Sequence, residues 1–426
     1  MQQFITILTI AAILLVADAY IITGVRTALK KWKFTAKKAF TWWYWGISIA
    51  LILGLFASIY LKFGIGFKGA VLLIFFVMLG AKILFLPFLV VDDVRRLLLW
   101  KARKHNKPEP EFPASQPAPD AIPRSEFLMK AGLLAGALPM ASLGYGIING
   151  AYDYRVKHRT LYLPNLPKAF DGIKLGQLSD IHSGSFYNKK AVAGGVEMLL
   201  KEKPDFIFFT GDLVNNKSDE MREYQDVFAK VKAPLGVYSS LGNHDYGDYA
   251  HWDSPAAKQR NLDDLKTTHK NMGWDLILND SRRLKVDGEE IGILGVENWG
   301  SLSRFPKYGR IDLAERNTQD LPVKLLLSHD PSHWRAQVLD HKDIDVMFAG
   351  HTHGMQFGIQ TKHFQWSPIQ YVYKEWAGFY REGNQQLYVN TGYGFLGYPG
   401  RVGILPEITI FTLKASSDPS LKNIRA

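Results

Sequence analysis

The feature that most constrains this chain is a ladder of five short polar blocks in its C-terminal two thirds, each set directly after an apolar run of strand length. The blocks are Asp180-Ile181-His182, Gly211-Asp212, Gly242-Asn243-His244-Asp245, Ser328-His329 and Gly350-His351-Thr352-His353. The runs before them cover residues 173–178, 206–210, 236–241, 324–327 and 346–349, and their length and composition predict β-strands. Metal-seeking side chains therefore fall at the carboxyl ends of strands, the edge at which the loops of an α/β sheet converge on one crevice.

The residue types suit two hard or borderline divalent ions. Imidazole nitrogen and carboxylate oxygen fit Zn, Mn or Fe, and the chain has no cysteine to offer a thiolate. An aspartate such as Asp212 is able to bridge two ions about 3.5–4 Å apart, and such pairs clamp the attacking and leaving oxygens of an in-line displacement at phosphorus. A lone histidine after a strand is more often a cap or a packing residue than a ligand. Five histidines with two aspartates and an asparagine at one predicted sheet edge reverse that balance, whereas His251, His269, His333, His341 and His363 have no partner pattern and read as surface or packing residues.

The ordered set D-x-H, GD, GNHD, SH and GHTH resembles the calcineurin-like metallophosphoesterase superfamily, over residues 156–414. The resemblance implies an α/β fold, a two-sheet sandwich flanked by helices such as 188–203, 258–272 and 332–339. It also implies that Asp180, His182, Asp212 and His353 hold one metal, that Asp212 bridges, and that Asn243, His329 and His351 complete the second. His244 matches the family's general acid or transition-state charge partner, with Asp245 as its orienter. Residues 390–394, Gly400-Arg401 and Pro406-Glu407-Ile408 are similar to the terminal strands of membrane-linked bacterial members, and Arg401 is a candidate for contacting a phosphate or headgroup.

Charge divides the chain. Of the formal net charge of +11, residues 1–150 carry +10, with 17 Lys/Arg against 7 Asp/Glu. The catalytic region is nearly neutral and shows no basic patch with interleaved aromatics, so nucleic acid is not the expected substrate. Residues 1–100 instead predict three membrane helices, at 4–23, 42–60 and 69–91, each near the roughly 20 residues a span needs. A Pro-rich linker follows at 101–126, with six prolines between Asn106 and Pro123. A fourth, smaller-residued span is expected at 127–150, where Gly132 and Gly136 have GxxxG spacing, a weak signal of helix packing.

Loop charge orients these spans. Arg26, Lys30, Lys31, Lys33, Lys37 and Lys38 lie in the first loop, and Arg95, Arg96, Lys101, Arg103, Lys104 and Lys107 follow the third span; only Lys62 and Lys68 lie between spans two and three. The positive-inside rule then predicts a multi-pass protein of the bacterial inner membrane with its catalytic domain on the periplasmic or extracellular side. A cleaved signal peptide ending at Ala17-Asp18-Ala19 is the weaker reading, because no basic region precedes it. Residues 124–130 resemble a degenerate twin-arginine export signal with Glu126 in place of the second arginine. Asp18 and Lys82 come at comparable depths from the cytoplasmic ends of spans one and three, which predicts an intramembrane pair.

The function expected is hydrolysis of a phosphomono-, phosphodi- or pyrophosphate ester, with the lipid bilayer as partner and a phosphorylated, amphiphilic lipid or envelope precursor as substrate. Two alternatives stand beside it. One is a cytoplasm-facing UDP-diacylglucosamine-type pyrophosphate hydrolase, which the predicted topology disfavours. The other is a metal-binding membrane receptor or scaffold in which hydrolysis is incidental.

Overall fold

The computed structural model describes residues 2–29, 32–60, 65–105, 124–361 and 363–416. Most of the Pro-rich linker, with the loop lysines Lys30, Lys31, Lys62 and Lys107, lies outside the described residues. The chain divides into two compact units, Met1–Gly144 and Tyr145–Ala426.

The first unit is helical: α1 (Gln2–Ala28), α2 (Lys38–Tyr60), α3 (Ile65–His105) and α4 (Arg124–Tyr145). Among the described residues, three apolar windows are long enough to cross a membrane: Ala11–Ala28, Lys38–Ala57 and Arg124–Gly150. Residues 69–91 lie within α3, whose 41 residues run on through Asp92, Asp93, Arg95 and Arg96. Ile21, Ala28, Phe85, Leu89 and Met129 form a shared apolar core of α1, α3 and α4. Gly136 is needed where α4 meets α3, because an added Cβ would lie 2.8 Å from the Ala81 carbonyl oxygen.

Polar groups hold the same helices in register. Lys82 Nζ lies 2.7 Å from the fully buried Asp18 carboxylate, which also accepts a hydrogen bond from Tyr44 Oη at 2.8 Å, so α1, α2 and α3 meet at one ionic centre. Nearer the other ends of α1 and α3, Asp92 pairs with Arg95 and accepts from Ser125 of α4 at 2.9 Å, Tyr20 donates to Asp93, and Arg26 donates to Thr41. The helix ends that flank the two basic loops therefore gather at one end of the bundle.

The second unit is a two-sheet sandwich. Its strands are β1 (Arg155–Leu163), β2 (Lys174–Leu178), β3 (Phe206–Thr210), β4 (Val237–Ser240), β5 (Asp275–Leu276), β6 (Asp280–Val286), β7 (Glu289–Gly295), β8 (Lys324–Leu327), β9 (Val346–Ala349), β10 (Ile359–Gln360), β11 (Gln365–Trp366), β12 (Gly378–Glu382), β13 (Gln385–Val389) and β14 (Glu407–Ala415). One sheet has the order β1-β14-β2-β3-β4-β5, the other β12-β13-β9-β8-β7-β6, and β10 and β11 form a separate hairpin. Both large sheets are mixed: β14 runs antiparallel to β2, and β6 and β12 antiparallel to their neighbours.

Period-two alternation builds the layers. Phe206 and Phe208 of β3, Leu325 and Leu327 of β8, and Val346 and Phe348 of β9 point into the core between the sheets. Ile207 and Phe209 point the other way, under α5 (Lys189–Lys201), α6 (Gln225–Phe228) and α7 (Pro255–Met272), while Leu326 and Met347 face a third apolar cluster around Trp334. Helix α5 starts where Asn188 accepts from Ala191 N–H, and it buries Val192, Val196 and Leu199 at helical spacing. Helix α7 begins three residues before the predicted 258, because Ser254 caps it and Pro255 fits its first turn. The predicted helix 332–339 breaks at Gln337, whose φ of −143° is not helical, into Ser332–Ala336 and a 3₁₀ turn.

Candidate active site

Register explains why the polar blocks meet. Strands β2 and β3 pair in parallel with Leu178 opposite Phe209, so Asp180 and Asp212 leave one sheet side by side. In the other sheet Leu327 lies opposite Phe348, and His329 and His351 leave together. The two edges are tied across the sandwich by Gln177, which donates to Thr210 Oγ1 and the Ala349 carbonyl, and by His329 Nδ1, which donates to the Thr210 carbonyl at 2.7 Å.

Two groups of donor atoms result, Asp180 with His182 and His353, and Asp212 with His329 and His351, each close enough to hold one ion. His182 Nε2 lies 3.0 Å from His353 Nε2, and His353 Nε2 lies 3.3 Å from Asp180 Oδ1. Asp212 stands between the groups, with Oδ2 3.0 Å from His329 Nε2 and 3.5 Å from His182 Nε2.

The backbone carries strain at these positions. Asp180, His182, Asp212, His351 and His353 all have φ between 49° and 72°, the left-handed region that disfavours L side chains by about 1 kcal/mol or more each. Backbone hydrogen bonds hold the loops there: His182 N–H donates to the Asp212 carbonyl, Gly350 N–H to the His329 carbonyl, and His351 N–H to the Asp180 carboxylate. Gly350 permits the last contact, since an added Cβ would sit 2.1 Å from Asp180 Oδ2.

The hydrogen-bond partners of these residues bear on whether they fit a cation. Tyr373 Oη lies 2.8 Å from His351 Nε2 and 3.3 Å from an Asp330 carboxylate oxygen, and so ties the two side chains together. His351 Nδ1 lies 2.8 Å from Asn243 Oδ1, and Asn243 turns its amide nitrogen to Tyr249. That spacing also suits two neighbouring ligands on one ion, whose bonds of about 2.0–2.1 Å meet near a right angle. His329 Nε2 is buried without a hydrogen-bond partner, although Asp212 is adjacent. Burial drives His182 down to about 3 and His351 down to about 4, toward the neutral form that binds metal, whereas the Asp212 and Asp180 carboxylates outweigh burial at His329 and raise it to about 10, a positive charge that a bound cation would replace. The residues fit divalent ions.

His244 sits beside these groups. Its N–H donates to Asp212 Oδ1 at 2.9 Å, its Nδ1–H donates to the Asn215 carbonyl at 2.7 Å, and its ring packs edge-on against His182 and over Tyr249.

Two sequence-based roles need correction. Asp245 does not orient His244: its carboxylate accepts from the N–H groups of Asp212, Leu213, Val214 and Gly242, clamping the loops after β3 and β4 together. The acidic side chain points back under the turn, and the Asn215 carbonyl holds the imidazole instead. Arg401 is 1% exposed and is turned toward backbone. Its guanidinium donates to the carbonyls of Thr391, Gly392, Gly394 and Ile404, and Nη2 lies 3.2 Å from His353 Nδ1.

Sequence reasoning missed Asn215, Asp330 and Tyr373. Asn215 accepts from His182 Nδ1–H at 3.1 Å, and its loop is pinned by Glu220, which accepts three backbone N–H groups. Asn215 and Asp330 lie in the same loops as Asp212 and His329, a signal that was there to read. Tyr373 follows no motif.

Two mixed sheets with buried His/Asp groups at their common edge define a metal-dependent hydrolase of the α/β sandwich class. Residues 173–355 match the family model described as calcineurin-like phosphoesterase, and residues 2–151 match one described as a probable calcineurin-like phosphoesterase transmembrane domain. The uncharacterized metallophosphoesterase YkuE of Bacillus subtilis is 30% identical over 305 residues, 69% of this chain and 98% of that protein. The transmembrane protein with metallophosphoesterase domain of Danio rerio is 26% identical over 70% of this chain and 66% of its own length. Phosphodiesterase YaeI of Escherichia coli is 23% identical over 61% of this chain and 87% of its own. The chain belongs to the calcineurin-like metallophosphoesterases, and it is a membrane-associated hydrolase of phosphate esters.

Proposed function

We propose that the site is dinuclear, with Asp180, His182, Asp212 and His353 around one ion and Asp212, Asn243, His329 and His351 around the other. The observation that carries this reading is the position of Asp212 Oδ2 within 3.5 Å of an imidazole from each group. Bound Mn, Zn or Fe supplies Lewis acidity toward a phosphoryl oxygen and lowers the pKa of water. His244 keeps Nδ1–H on the Asn215 carbonyl, which leaves Nε2 to carry the proton for the leaving oxygen. As water oxygen bonds to phosphorus, the P–O bond to the leaving group breaks, that oxygen takes the proton from Nε2, and the proton lost by water restores the imidazolium.

The substrate we propose is an amphiphilic phosphomono-, phosphodi- or pyrophosphate ester, from a lipid or envelope precursor, met at the outer face of a bacterial inner membrane. Four spans, with a linker over 101–126, would put both basic loops inside; the gathering of their flanking helix ends at one end of the bundle supports this. Chelator-stripped protein reloaded with Mn, Zn or Fe should hydrolyse an aryl phosphodiester or monoester, and Asp212→Asn and His244→Asn should each lower kcat by about two orders of magnitude or more. Wild-type activity in both variants would overturn the assignment. A topology reporter after Ala426 should read as external; a cytoplasmic reading would favour the UDP-sugar alternative.

A further inference from the structure

Residues 355–372 carry a concentration of exposed apolar side chains in the catalytic unit. Met355, Ile359, Phe364, Tyr371 and Val372 are 50–77% exposed, although the segment starts two residues after the candidate ligand His353 and ends just before Tyr373, which bonds His351. A contiguous apolar surface on a soluble face is unfavourable unless something covers it.

The covering surface is indicated by what this segment is tied to. Gly146 to Gly150 are the last residues of the apolar stretch Arg124–Gly150, which is long enough to cross a membrane. Arg401 N–H donates to the Gly146 carbonyl, and the next residue, Val402, bonds the strand that enters the hairpin: it donates to the Gln356 carbonyl and accepts from Gly358 N–H. Gln356 reinforces this join, donating to the carbonyls of Tyr398 and Gly400. One pair of adjacent residues therefore links the point where the chain leaves an apolar span to the base of the exposed hairpin, and Ile148, itself 81% exposed, lies on the same join.

We propose that residues 355–372 dock the catalytic unit on the lipid bilayer, inserting the β10–β11 hairpin at headgroup depth. The phosphoester of a membrane lipid then reaches the His351 side of the site while its acyl chains stay in the membrane. The substrate half of this inference rests on the phosphoesterase reading; the docking half does not.

The chain lacks cysteine, so one reporter thiol can be placed cleanly. Full-length Phe364→Cys and Lys270→Cys variants, each labelled with an environment-sensitive fluorophore, are reconstituted into phosphatidylethanolamine–phosphatidylglycerol vesicles containing spin-labelled phosphatidylcholine. Docking is expected to quench the probe at position 364 several-fold more than the probe on α7. Equal quenching at both positions overturns it, as does a 364 probe shielded from aqueous iodide yet untouched by the spin-labelled lipid, the sign of a second protein copy. As a second arm, Phe364→Ser with Val372→Ser should cut hydrolysis of a vesicle-borne lipid phosphodiester about tenfold and leave soluble bis(p-nitrophenyl) phosphate within about twofold. Equal losses on both substrates contradict the selective role. Failure of the wild-type chain to cleave the soluble diester would contradict the phosphoesterase reading, while the quenching result would still decide docking.

Discussion

At the scale of single residues, side chains close to the site divide into those that face its centre and those that hold its loops. Arg401 is of the second kind: Arg401→Ala should destabilise the protein by about 3 kcal/mol, because four carbonyls lose a buried charged donor. Metal content should fall with it. A raised KM for a soluble diester at unchanged thermal stability would instead show that Arg401 reaches substrate. Asn215→Ala removes the acceptor that fixes His182, and metal affinity by chelator competition is expected to fall about 10–100-fold. The residues facing the centre were legible in the sequence because each follows a strand. The direction of Asp245 and the burial of Arg401 were not, because both depend on where neighbouring loops present their N–H and carbonyl groups, which no local pattern encodes.

At the scale of elements, strands β3, β8 and β9 coincide with their predicted ranges, since mainly apolar runs of four or five residues ending in a polar block leave little choice. Strand β1, with its partly exposed charged residues, offered no such signal; its pairing with β14 is a long-range choice. In the helical unit, the Asp18–Lys82 contact was predicted from depth alone, whereas Tyr44 and Ser48 add partners from α2 that depth did not reveal. Asp18→Asn or Lys82→Met alone should strand the other group and lower membrane yield, and the double variant should recover part of the loss. A double variant no better than either single one would remove the pairing's energetic role.

At the scale of the whole molecule, acid stability offers an independent check on the packing under α7. His269 is fully buried, accepts or donates only through Nδ1 to Ser239, and is pushed down to about 3 by burial. Its folded pKa lies below the ordinary value near 6.5, so between those limits the unfolded chain binds the extra proton. Stability unaffected by this group above pH 6.5 should therefore fall as pH drops below it, by about 1.4 kcal/mol per unit. His269→Leu should flatten the dependence of the urea midpoint of detergent-solubilised protein between pH 6.5 and 5; an unchanged slope would show that the group is hydrated.

The central claim is that Asp212 joins two ions in one centre. Stripped full-length protein loaded with Mn should bind two ions per chain and show the exchange-coupled electron paramagnetic resonance spectrum of a bridged pair, lost together with hydrolysis in Asp212→Asn. A fully active protein holding a single uncoupled ion would contradict it.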